Sequence, residues 1–452
     1  MKRIAVIGAG LSGTLLMMNL LRQESHTPVH ITWIDRNDEK DMGPAYSTNE
    51  NYLLNVPVQM MGAFSEDPEH FLKWCCEKNI AASDGDFLPR KLYREYIQAM
   101  LDAARQAEAK SWAIHRMRDE ATDLEVVGDT LKVSLEKSGH VTAEKVVLAL
   151  GNSLPEHLSL PDNSFISDSR YIQNPWIPDL LDTFSPVDDI FFIGSGQTMV
   201  DLVTGFYRRK HKGKLTAISR RGVLPMSQKM NHPYPSFFDE LENLHDILSI
   251  FKIVRKHLRK AETAGYDPRD VIDSLRPHTI AIWTGLPPEE KKCFLGHLFR
   301  YWEIIRSRIP PASRKIVNEL LDKGQLRILK GRITAIEPLA DKVRIKYLHR
   351  ELKTEKTESA GIVINCKGPN LDYDTIENGF IRNLVSKKII QCDPSHLGIN
   401  ALPTGAILQP DGQPSDRIFT VGPTLKGIVW EALATPEIRV QAENLARHLL
   451  KV

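Results

Sequence analysis

The stretch that decides the fold is Lys2–Leu21, with the sequence KRIAVIGAGLSGTLLMMNLL. Lys2–Ile7 is a short apolar run that predicts a buried parallel strand, and Thr14–Leu21 predicts a helix. The GxGxxG pattern between them is typical of a dinucleotide-binding turn when it joins a strand to a helix. Its first glycine permits the tight turn, its second lets a pyrophosphate approach, and its third lets helix and strand pack closely. The predicted contacts in this turn are Gly8, Gly10, Ser12 and Gly13.

The next strand, His30–Ile34, ends at Asp35. An acid at this spacing accepts hydrogen bonds from the adenosine ribose of a dinucleotide. We expect the phosphates at the N-terminus of the first helix, where free N–H groups and the helix dipole favour anions. The alternative is a glycine-rich turn that holds no ligand.

The composition is that of a globular protein, and it does not suggest a protein that binds nucleic acid or a membrane. At 452 residues, the chain predicts two or three domains. The 59 lysines and arginines nearly balance the 57 acids, so neither nucleic acid nor an anionic membrane is expected as a partner. No apolar run approaches the roughly 20 residues of a membrane span. The apolar N-terminus belongs to the nucleotide motif rather than to a signal peptide.

The five cysteines form no CxxC pair, so the sequence predicts neither a dithiol redox centre nor a metal site. This small number of unpaired cysteines favours reduced thiols and a cytoplasmic location. Cys75 and Cys76 are adjacent in a predicted helix and point in different directions. Cys366 lies in an apolar strand and is interpreted as a small core residue.

An unusual loop, 42–64, follows Asp35 and combines turn residues with an apolar centre. We interpret it as lining a buried cofactor, and the alternative is a packed structural loop. Helices are predicted at 68–78 and 91–108. Residues 113–137 predict a small antiparallel meander. The sequence 145–151 then predicts a buried strand that ends at Gly151.

A second dinucleotide signal begins with a predicted strand at 190–193 and a helix at 197–206. Met199 replaces the third glycine of the turn between them. The following strand, 214–218, ends at two arginines where an acid would be expected. Arginine pairs with phosphate through two hydrogen bonds, which favours the 2′-phosphate of NADPH over NADH. The alternative is a pair of solvated arginines. The predicted contacts here are Gly194, Gly196, Gln197, Ser219, Arg220 and Arg221.

The remainder of the chain begins with a helical insertion at 236–323 that carries no nucleotide signature. It is open whether the insertion covers the cofactor cleft, forms a subunit contact or is a helical cap with its own core. Further strands are predicted at 325–347 and 361–368. A last strand at 417–421 leads to a turn with Gly422 and Thr424, and a helix follows at 436–450.

Two dinucleotide units in this order resemble the two-dinucleotide-binding flavoproteins, and the chain is similar to the bacterial FAD/NAD(P)-binding proteins over nearly its whole length. The resemblance implies an α/β fold with two Rossmann-type dinucleotide-binding domains, antiparallel meanders and a helical insertion. The FAD-binding domain would comprise 1–184 and 370–452, and the NAD(P)H-binding domain 185–369. The segments that carry the resemblance are GPAYST (43–48), LLNVP (53–57), LPRKLY (88–93), SRRG (219–222), VGP (421–423), WE (430–431) and PEIR (436–439).

The family is distantly similar to class B and N-hydroxylating flavin monooxygenases. This similarity implies FAD and NADPH as cofactors, and dioxygen chemistry on a small amine-type substrate through a flavin hydroperoxide. One alternative is an FAD/NADPH reductase or dehydrogenase without oxygenation. Another is a non-catalytic nucleotide-binding sensor or assembly partner. The substrate and the oligomeric state, including a homo-oligomer, stay open.

The chain departs from the family pattern at two places. Pro423 stands where many two-site flavoproteins carry an acid, so that contact would come from the backbone or from Thr424. The Baeyer–Villiger fingerprint is not evident in the linker at 173–176. The resemblance carries over no catalytic residue. The residues proposed for contacts near the flavin edge are Asn55, Gln59 and Lys426.

Overall fold

The computed structural model describes residues 2–24, 27–38, 41–47, 50–106, 112–229 and 232–451. Thr48 of the GPAYST segment and the predicted helix end at residue 108 lie outside these ranges. The strands of the described residues are β1 (Lys2–Ile7), β2 (Val29–Asp35), β3 (Trp112–Arg118), β4 (Ala121–Val127), β5 (Thr130–Leu135), β6 (His140–Ala143), β7 (Lys145–Leu148), β8 (Tyr171–Ile172), β9 (Ile190–Ile193), β10 (Leu215–Ser219), β11 (Leu326–Pro338), β12 (Val343–His349), β13 (Glu355–Ala360), β14 (Ile362–Asn365), β15 (Ala406–Leu408) and β16 (Pro414–Thr420). The helices are α1 (Leu11–Leu21), α2 (His70–Glu77), α3 (Arg90–Gln106), α4 (Gln197–Arg208), α5 (Ile247–Thr263), α6 (Pro268–Ser274), α7 (Thr279–Gly285), α8 (Pro288–His297), α9 (Phe299–Arg306), α10 (Pro311–Asp322), α11 (Gly379–Ser386), α12 (Lys426–Val429) and α13 (Thr435–Leu450).

The first sheet contains the opening motif and has the strand order β15-β16-β7-β1-β2-β3. Its pairings are parallel except that between β15 and β16. The last four residues of β1 are buried, as expected of a parallel strand that is covered on both faces. All eleven residues of α1 are buried, and this helix packs against α3 and α13. The predicted strand–turn–helix at the N-terminus is therefore present.

The second sheet has the order β13-β12-β11-β10-β9-β14-β8. Strands β8, β14, β9, β10 and the start of β11 are parallel, whereas the end of β11 pairs antiparallel with β12. β11 thus carries the chain from a Rossmann-type sheet into an antiparallel extension. The predicted α/β class with two dinucleotide-binding units is confirmed by this architecture.

Two strands lie elsewhere than the sequence suggested. β3 was expected in the meander, but it pairs parallel with β2 at the edge of the first sheet, and only β4, β5 and β6 form the antiparallel unit. Because an edge strand is exposed on alternate residues, its pattern resembles that of a meander strand. β8 lies before the predicted boundary at residue 185, yet it pairs with β14 of the second sheet. The domain boundaries themselves stay a prediction.

The predicted insertion, 236–323, contains two different parts. Helices α5 to α9 share a separate hydrophobic core, which also includes Trp430 from the C-terminal turn. Helix α10 instead packs against α4 and β11. It is the crossover between the parallel strands β10 and β11, which cannot be joined by a short turn. The predicted bounds of the insertion therefore include a helix that packs with the second unit, and these bounds stay a prediction.

Candidate functional site: two glycine turns and the clefts they face

The first glycine turn joins β1 to α1, and its glycines are required for different reasons. Gly8 has φ +107°, and a Cβ atom on it would lie 2.2 Å from the Ala149 carbonyl oxygen. A Cβ on Gly13 would lie 2.1 Å from the Gly8 carbonyl oxygen. The nearest neighbour of a Cβ on Gly10 would be the Met42 carbonyl oxygen at 3.6 Å, which is an ordinary contact. Gly8 and Gly13 are needed for packing, whereas Gly10 leaves free space beside the backbone.

A cleft of about 830 Å³ lies in front of this turn. Gly10, Asp35, Gly43 and Gly151 all contribute to its wall. α1 has no side-chain cap and no acid in its first turn, so its N-terminus favours an anion. The volume lies within the usual range for ligand sites. The open position at Gly10 and the uncapped helix fit the adenosine diphosphate half of FAD.

Asp35 stabilises the turn and lines the cleft. One of its carboxylate oxygens accepts a hydrogen bond from the Ala9 N–H at 2.6 Å, and the other accepts from the Asn37 N–H at 2.8 Å. The side chain is half-buried, and each carboxylate oxygen can accept a further hydrogen bond. Its contact with a ribose therefore stays a prediction that the geometry permits.

The loop 42–64 has two structural roles. Its start lies against the first turn, where the Leu11 N–H donates to the Met42 carbonyl at 3.2 Å and the following glycine lines the cleft. Its centre packs between the two units, because the Tyr52 ring lies beside Gly205 of α4. The Tyr52 carbonyl also accepts a hydrogen bond from the Arg90 N–H at 2.8 Å. The first part thus lines the cleft, and the second is a packed structural segment.

Asn55 and Gln59, both predicted near the flavin edge, differ in their surroundings. The Asn55 Oδ1 atom is buried and has no hydrogen-bond partner among the described residues. Such an unpaired buried oxygen is uncommon, and a ligand group would satisfy it. Gln59 Oε1 already accepts a hydrogen bond from the Gly85 N–H at 3.0 Å. Asn55 is therefore the better candidate for a ligand contact, while the Gln59 side chain stabilises its own region.

The turn after β16 passes over the start of α1. Gly422 has φ +88°, and a Cβ atom on it would lie 2.2 Å from Ser12 Oγ. Ser12 is therefore packed under this turn. The buried Thr424 hydroxyl lies 2.7 Å from the Thr420 hydroxyl, so its side chain stabilises the turn. If this turn contacts a flavin, the backbone is better placed to do so than the Thr424 side chain.

Lys426 lies where the C-terminal turn meets the helical insertion. Its Nζ atom is 4.6 Å from the centre of the Trp430 ring, which is a cation–π distance. Burial lowers the pKa of Lys426, and the nearby carboxylate of Glu431 opposes this shift. Glu431 is in turn paired with Arg306 of α9 at 2.9 Å. The predicted role of Lys426 at the flavin edge stays a prediction.

The second glycine turn, between β9 and α4, has the same division of roles. Gly194 has φ +114°, and a Cβ atom on it would lie 2.4 Å from the Cys366 carbonyl oxygen. A Cβ on Gly196 would have no atom of a described residue within 4 Å. Met199, in place of the third glycine, is fully buried in the core. Gly196 is thus the open position of this turn, as Gly10 is in the first.

Two polar side chains hold the second turn in place. Ser195 Oγ lies 2.8 Å from Ser219 Oγ at the end of β10. Gln197 Nε2 donates a hydrogen bond to the Arg308 carbonyl at 2.7 Å. The Gln197 amide nitrogen is therefore engaged with the protein, and the backbone at the start of α4 is the better candidate for a phosphate contact.

Several arginine side chains lie close together at the end of β10. The Arg221 guanidinium lies 4.6 Å from the centre of the Tyr301 ring, and its Nη1 atom is buried with no hydrogen-bond partner among the described residues. Burial and the charges of Arg300 and Arg221 lower the pKa of Arg220. An unpaired buried guanidinium nitrogen fits an anion, and the 2′-phosphate of NADP belongs at this strand end.

Arg300 and Tyr301 were not predicted from the sequence. They lie on α9 of the insertion, about 80 residues beyond β10, and no local pattern connects the two segments. The available signal was an arginine–tyrosine pair in an amphipathic helix, which is common on protein surfaces. The insertion thus contributes to the surroundings of the second turn.

A buried ion pair joins the two units. Arg90 of α3 lies 2.7 Å from the Asp201 carboxylate of α4, and both side chains are buried. Burial raises the pKa of Asp201, and the Arg90 charge opposes that shift. Arg90 Nε also donates to the Leu53 carbonyl of the loop at 3.2 Å. α3, α4 and the loop are therefore fixed relative to one another.

The five cysteines are free thiols, and three of them lie in environments that do not favour thiolates. Burial raises the pKa of Cys75 to about 11 and that of Cys392 to about 12. Burial also raises the pKa of Cys366. Because the thiolate is the reactive form, these three residues are poor candidates for redox or nucleophilic chemistry.

One group of side chains offers donor atoms that all lie within 4.8 Å of one another. His396 Nδ1 lies 3.0 Å from the Asp372 carboxylate, and Cys392 Sγ lies 3.6 Å from the same carboxylate. These contacts join three of the four side chains to one another. The spacing of these residues gave no signal in the sequence, and they are Asp372, Asp374, Cys392 and His396.

Together, the two glycine turns, the cleft and the two sheets define a two-dinucleotide-binding flavoprotein fold. Residues 5–153 match the FAD-NAD(P)-binding family model. A curated relative, the Uncharacterized protein YdhS of Escherichia coli, is 24% identical over 259 residues. The match spans 50% of the chain and 46% of that relative. The predicted resemblance to FAD/NAD(P)-binding proteins is thus confirmed over residues 5–153, which is about a third of the chain.

Solved structures with the same fold include two kinds of flavoprotein. The ornithine hydroxylase PvdA from Pseudomonas aeruginosa superposes with a TM-score of 0.67 at 10% identity, covering 99% of this chain and 98% of that chain. The FAD-bound cadaverine monooxygenase DfoA from Erwinia amylovora gives 0.65 at 14% identity, with coverages of 99% and 94%. The bacillithiol disulfide reductase Bdr from Staphylococcus aureus gives 0.58 at 10% identity, with coverages of 100% and 99%. No helix among the described residues is long and apolar enough to cross a membrane.

Proposed function

We propose that the protein is an FAD- and NADPH-dependent monooxygenase that hydroxylates the nitrogen of a small amine. The observation that carries the proposal is the superposition over nearly the whole chain on two amine hydroxylases, with TM-scores of 0.67 and 0.65. A disulfide reductase of the same general fold superposes less well, at 0.58. The similarity concerns the fold, so the residues of the site must support the activity separately.

The environments of three of the five thiols favour this assignment over disulfide reduction. A disulfide reductase needs a thiolate near its redox centre. Burial instead raises the pKa of Cys75, Cys366 and Cys392, and the chain has no CxxC pair. An oxygenase needs no protein thiol, because its redox chemistry belongs to the cofactors.

The protein's own residues would bind and orient the cofactors. The open backbone at Gly10 and the start of α1 would hold the FAD diphosphate. Arg220 and Arg221 would hold the 2′-phosphate of NADPH. Bound FAD would supply the redox chemistry, in which hydride from NADPH provides the two electrons that reduce dioxygen. In the balanced reaction, amine, dioxygen, NADPH and a proton give hydroxylamine, water and NADP⁺.

Two groups of residues would shape the reaction site. The loop 42–64 and the turn 424–431 would form the apolar walls that exclude water, as oxygen chemistry at a reduced flavin requires. The unpaired Asn55 Oδ1 would accept a hydrogen bond from the bound flavin or from the amine. Replacement of Asn55 with alanine should then lower turnover more than FAD content.

The decisive experiment is an anaerobic absorbance spectrum of the FAD-loaded protein before and after NADPH, followed by addition of air with and without amine. We expect NADPH to bleach the flavin. We also expect NADPH oxidation in air to increase with the amine and to yield hydroxylamine in equal amount. Cadaverine, ornithine and 2-phenylethylamine would be the first amines to test.

A reductase without oxygenation is the second candidate, favoured by the superposition on the bacillithiol disulfide reductase. Bleaching by NADPH with turnover of an artificial electron acceptor, and with no hydroxylated product, would support it. A flavin that NADPH never bleaches would contradict both redox assignments and favour a sensor or assembly role.

A further inference from the structure

A cavity of about 140 Å³ lies inside the helical insertion, separate from the cleft at the first glycine turn. Its wall is made almost entirely of apolar side chains from α5 to α9, together with Trp430 of the C-terminal turn. Two of the polar groups along the wall are already paired with backbone carbonyls. Thr279 Oγ1 donates to the Arg276 carbonyl at 2.9 Å, and Trp283 Nε1 donates to the Gly427 carbonyl at 2.7 Å.

The volume and the apolar lining of the cavity indicate which kind of ligand it can bind. A dry cavity of about 150 Å³ lined by leucine, isoleucine and phenylalanine holds one benzene molecule. The cavity here is similar in volume and its wall is almost entirely apolar, so a charged or strongly polar group would lose most of its hydration without compensation. A single aromatic ring or a branched alkyl group matches it.

Trp430 connects the cavity to the FAD unit. It has φ +62° and ψ −55°, a backbone conformation that is strained for a residue with a side chain. This conformation directs its indole ring into the insertion, where it lies 4.4 Å from the Trp283 ring and 5.2 Å from the Phe294 ring. Trp430 ends the short helix α12, which starts four residues after Gly422 on the α1 turn. One wall of the cavity is therefore continuous with the turn over α1.

We infer that this cavity binds the apolar, ring-sized end of the substrate, so that the substrate class is an amine carrying an aromatic or branched alkyl group. The inference rests on the proposed amine hydroxylation and makes it more specific. It also gives the insertion a role, because α5 to α9 enclose the cavity. Diamines and amino acids of similar length carry a second charge and would not enter it.

The test uses the FAD-loaded protein and three probes: benzene, 2-phenylethylamine and cadaverine. The Ile282→Phe variant fills the cavity from a half-buried wall position. Leu248→Phe is the matched control, because Leu248 lies on α5 but is 58% exposed. Binding is measured by titration calorimetry, and folding is checked by FAD content and thermal unfolding.

We expect wild type and Leu248→Phe to bind benzene and 2-phenylethylamine, and Ile282→Phe to bind them at least tenfold more weakly with normal FAD content. A second variant, Phe294→Ala, enlarges the cavity and should bind 2-(1-naphthyl)ethylamine more tightly than wild type does, whether or not Ile282→Phe folds. Equal binding of 2-phenylethylamine by all three variants would overturn the inference.

The outcomes separate this inference from the proposed function. Hydroxylation of cadaverine without any binding of benzene would keep the monooxygenase proposal and overturn the inference. Binding of benzene that Ile282→Phe removes, with no hydroxylation of any amine, would leave a ligand site but overturn its assignment to the substrate.

Discussion

The variant Gly10→Ala should weaken FAD binding while leaving the fold intact, and Gly8→Ala is its structural control. Gly10 has φ −66° and ψ −175°, which alanine adopts without strain, and its Cβ would lie 3.6 Å from the nearest atom. Gly8 has φ +107°, and its Cβ would lie 2.2 Å from a carbonyl oxygen. The two substitutions therefore add the same methyl group to one turn, but only Gly8→Ala should destabilise the fold.

The expected magnitudes follow from these contacts. The clash at Gly8 resembles overpacking, which costs about 1–3 kcal/mol, and the positive φ adds about 1–2 kcal/mol. Gly10→Ala should change the free energy of unfolding of the FAD-free protein by less than about 0.5 kcal/mol. If the methyl group removes one charge-assisted hydrogen bond between backbone and pyrophosphate, the loss is about 1.5–3 kcal/mol. That corresponds to a Kd for FAD that is about 10- to 150-fold higher.

Two measurements on the same preparations check this reasoning. Urea unfolding of the FAD-free proteins compares their folding free energies, and titration with FAD followed by flavin fluorescence gives the Kd. A Gly10→Ala protein that binds FAD as tightly as wild type would refute the placement of the diphosphate. A Gly10→Ala protein that unfolds as readily as Gly8→Ala would refute the assignment of separate roles to the two glycines.

Three further predictions concern the second unit and its contacts. Replacing Arg220 and Arg221 with alanine should raise KM for NADPH on the order of 10- to 100-fold while changing KM for NADH little, because only NADPH carries the 2′-phosphate; equal changes would contradict the phosphate site. Arg90→Met leaves the Asp201 carboxylate buried and unpaired and should cost about 3–5 kcal/mol in urea unfolding, and adding Asp201→Leu should restore much of that loss. Arg170 lowers the pKa of Asp168 to about 2, so the stabilising contribution of this carboxylate is complete above the unfolded pKa near 4 and is lost as the pH falls through 2; Asp168→Asn should therefore reduce stability much more at pH 7 than at pH 2.

The parts of the fold that were predictable are those encoded locally. The first turn has its strand, glycines, helix and acid within Lys2–Asp35, and Gly8 and Gly13 are required there by close contacts with the backbone. Gly194 and Gly196 were found in the same way, even without a third glycine. The predicted helices at 68–78 and 436–450 agree with α2 and α13 to within two residues at each end, and the predicted start at residue 91 agrees with that of α3 to within one residue.

What could not be predicted depends on contacts between distant segments. Arg300 and Tyr301 reach the end of β10 only because the insertion folds back over the second unit. The unpaired Asn55 Oδ1 became visible only when its surroundings were known. The sequence also could not show that α10 covers the second sheet, because an amphipathic pattern shows that a helix has an apolar face but not which sheet that face covers.

The position of β16 between β7 and β15 affects how the protein is made. β7 ends at Leu148 and its neighbour β16 ends at Thr420. At typical elongation rates, the ribosome needs on the order of 10–50 s for the roughly 270 residues between them. During that interval β7 presents an open edge, a form that readily pairs with other chains. The entire second sheet is synthesised in the meantime, so it can fold before the first sheet is closed.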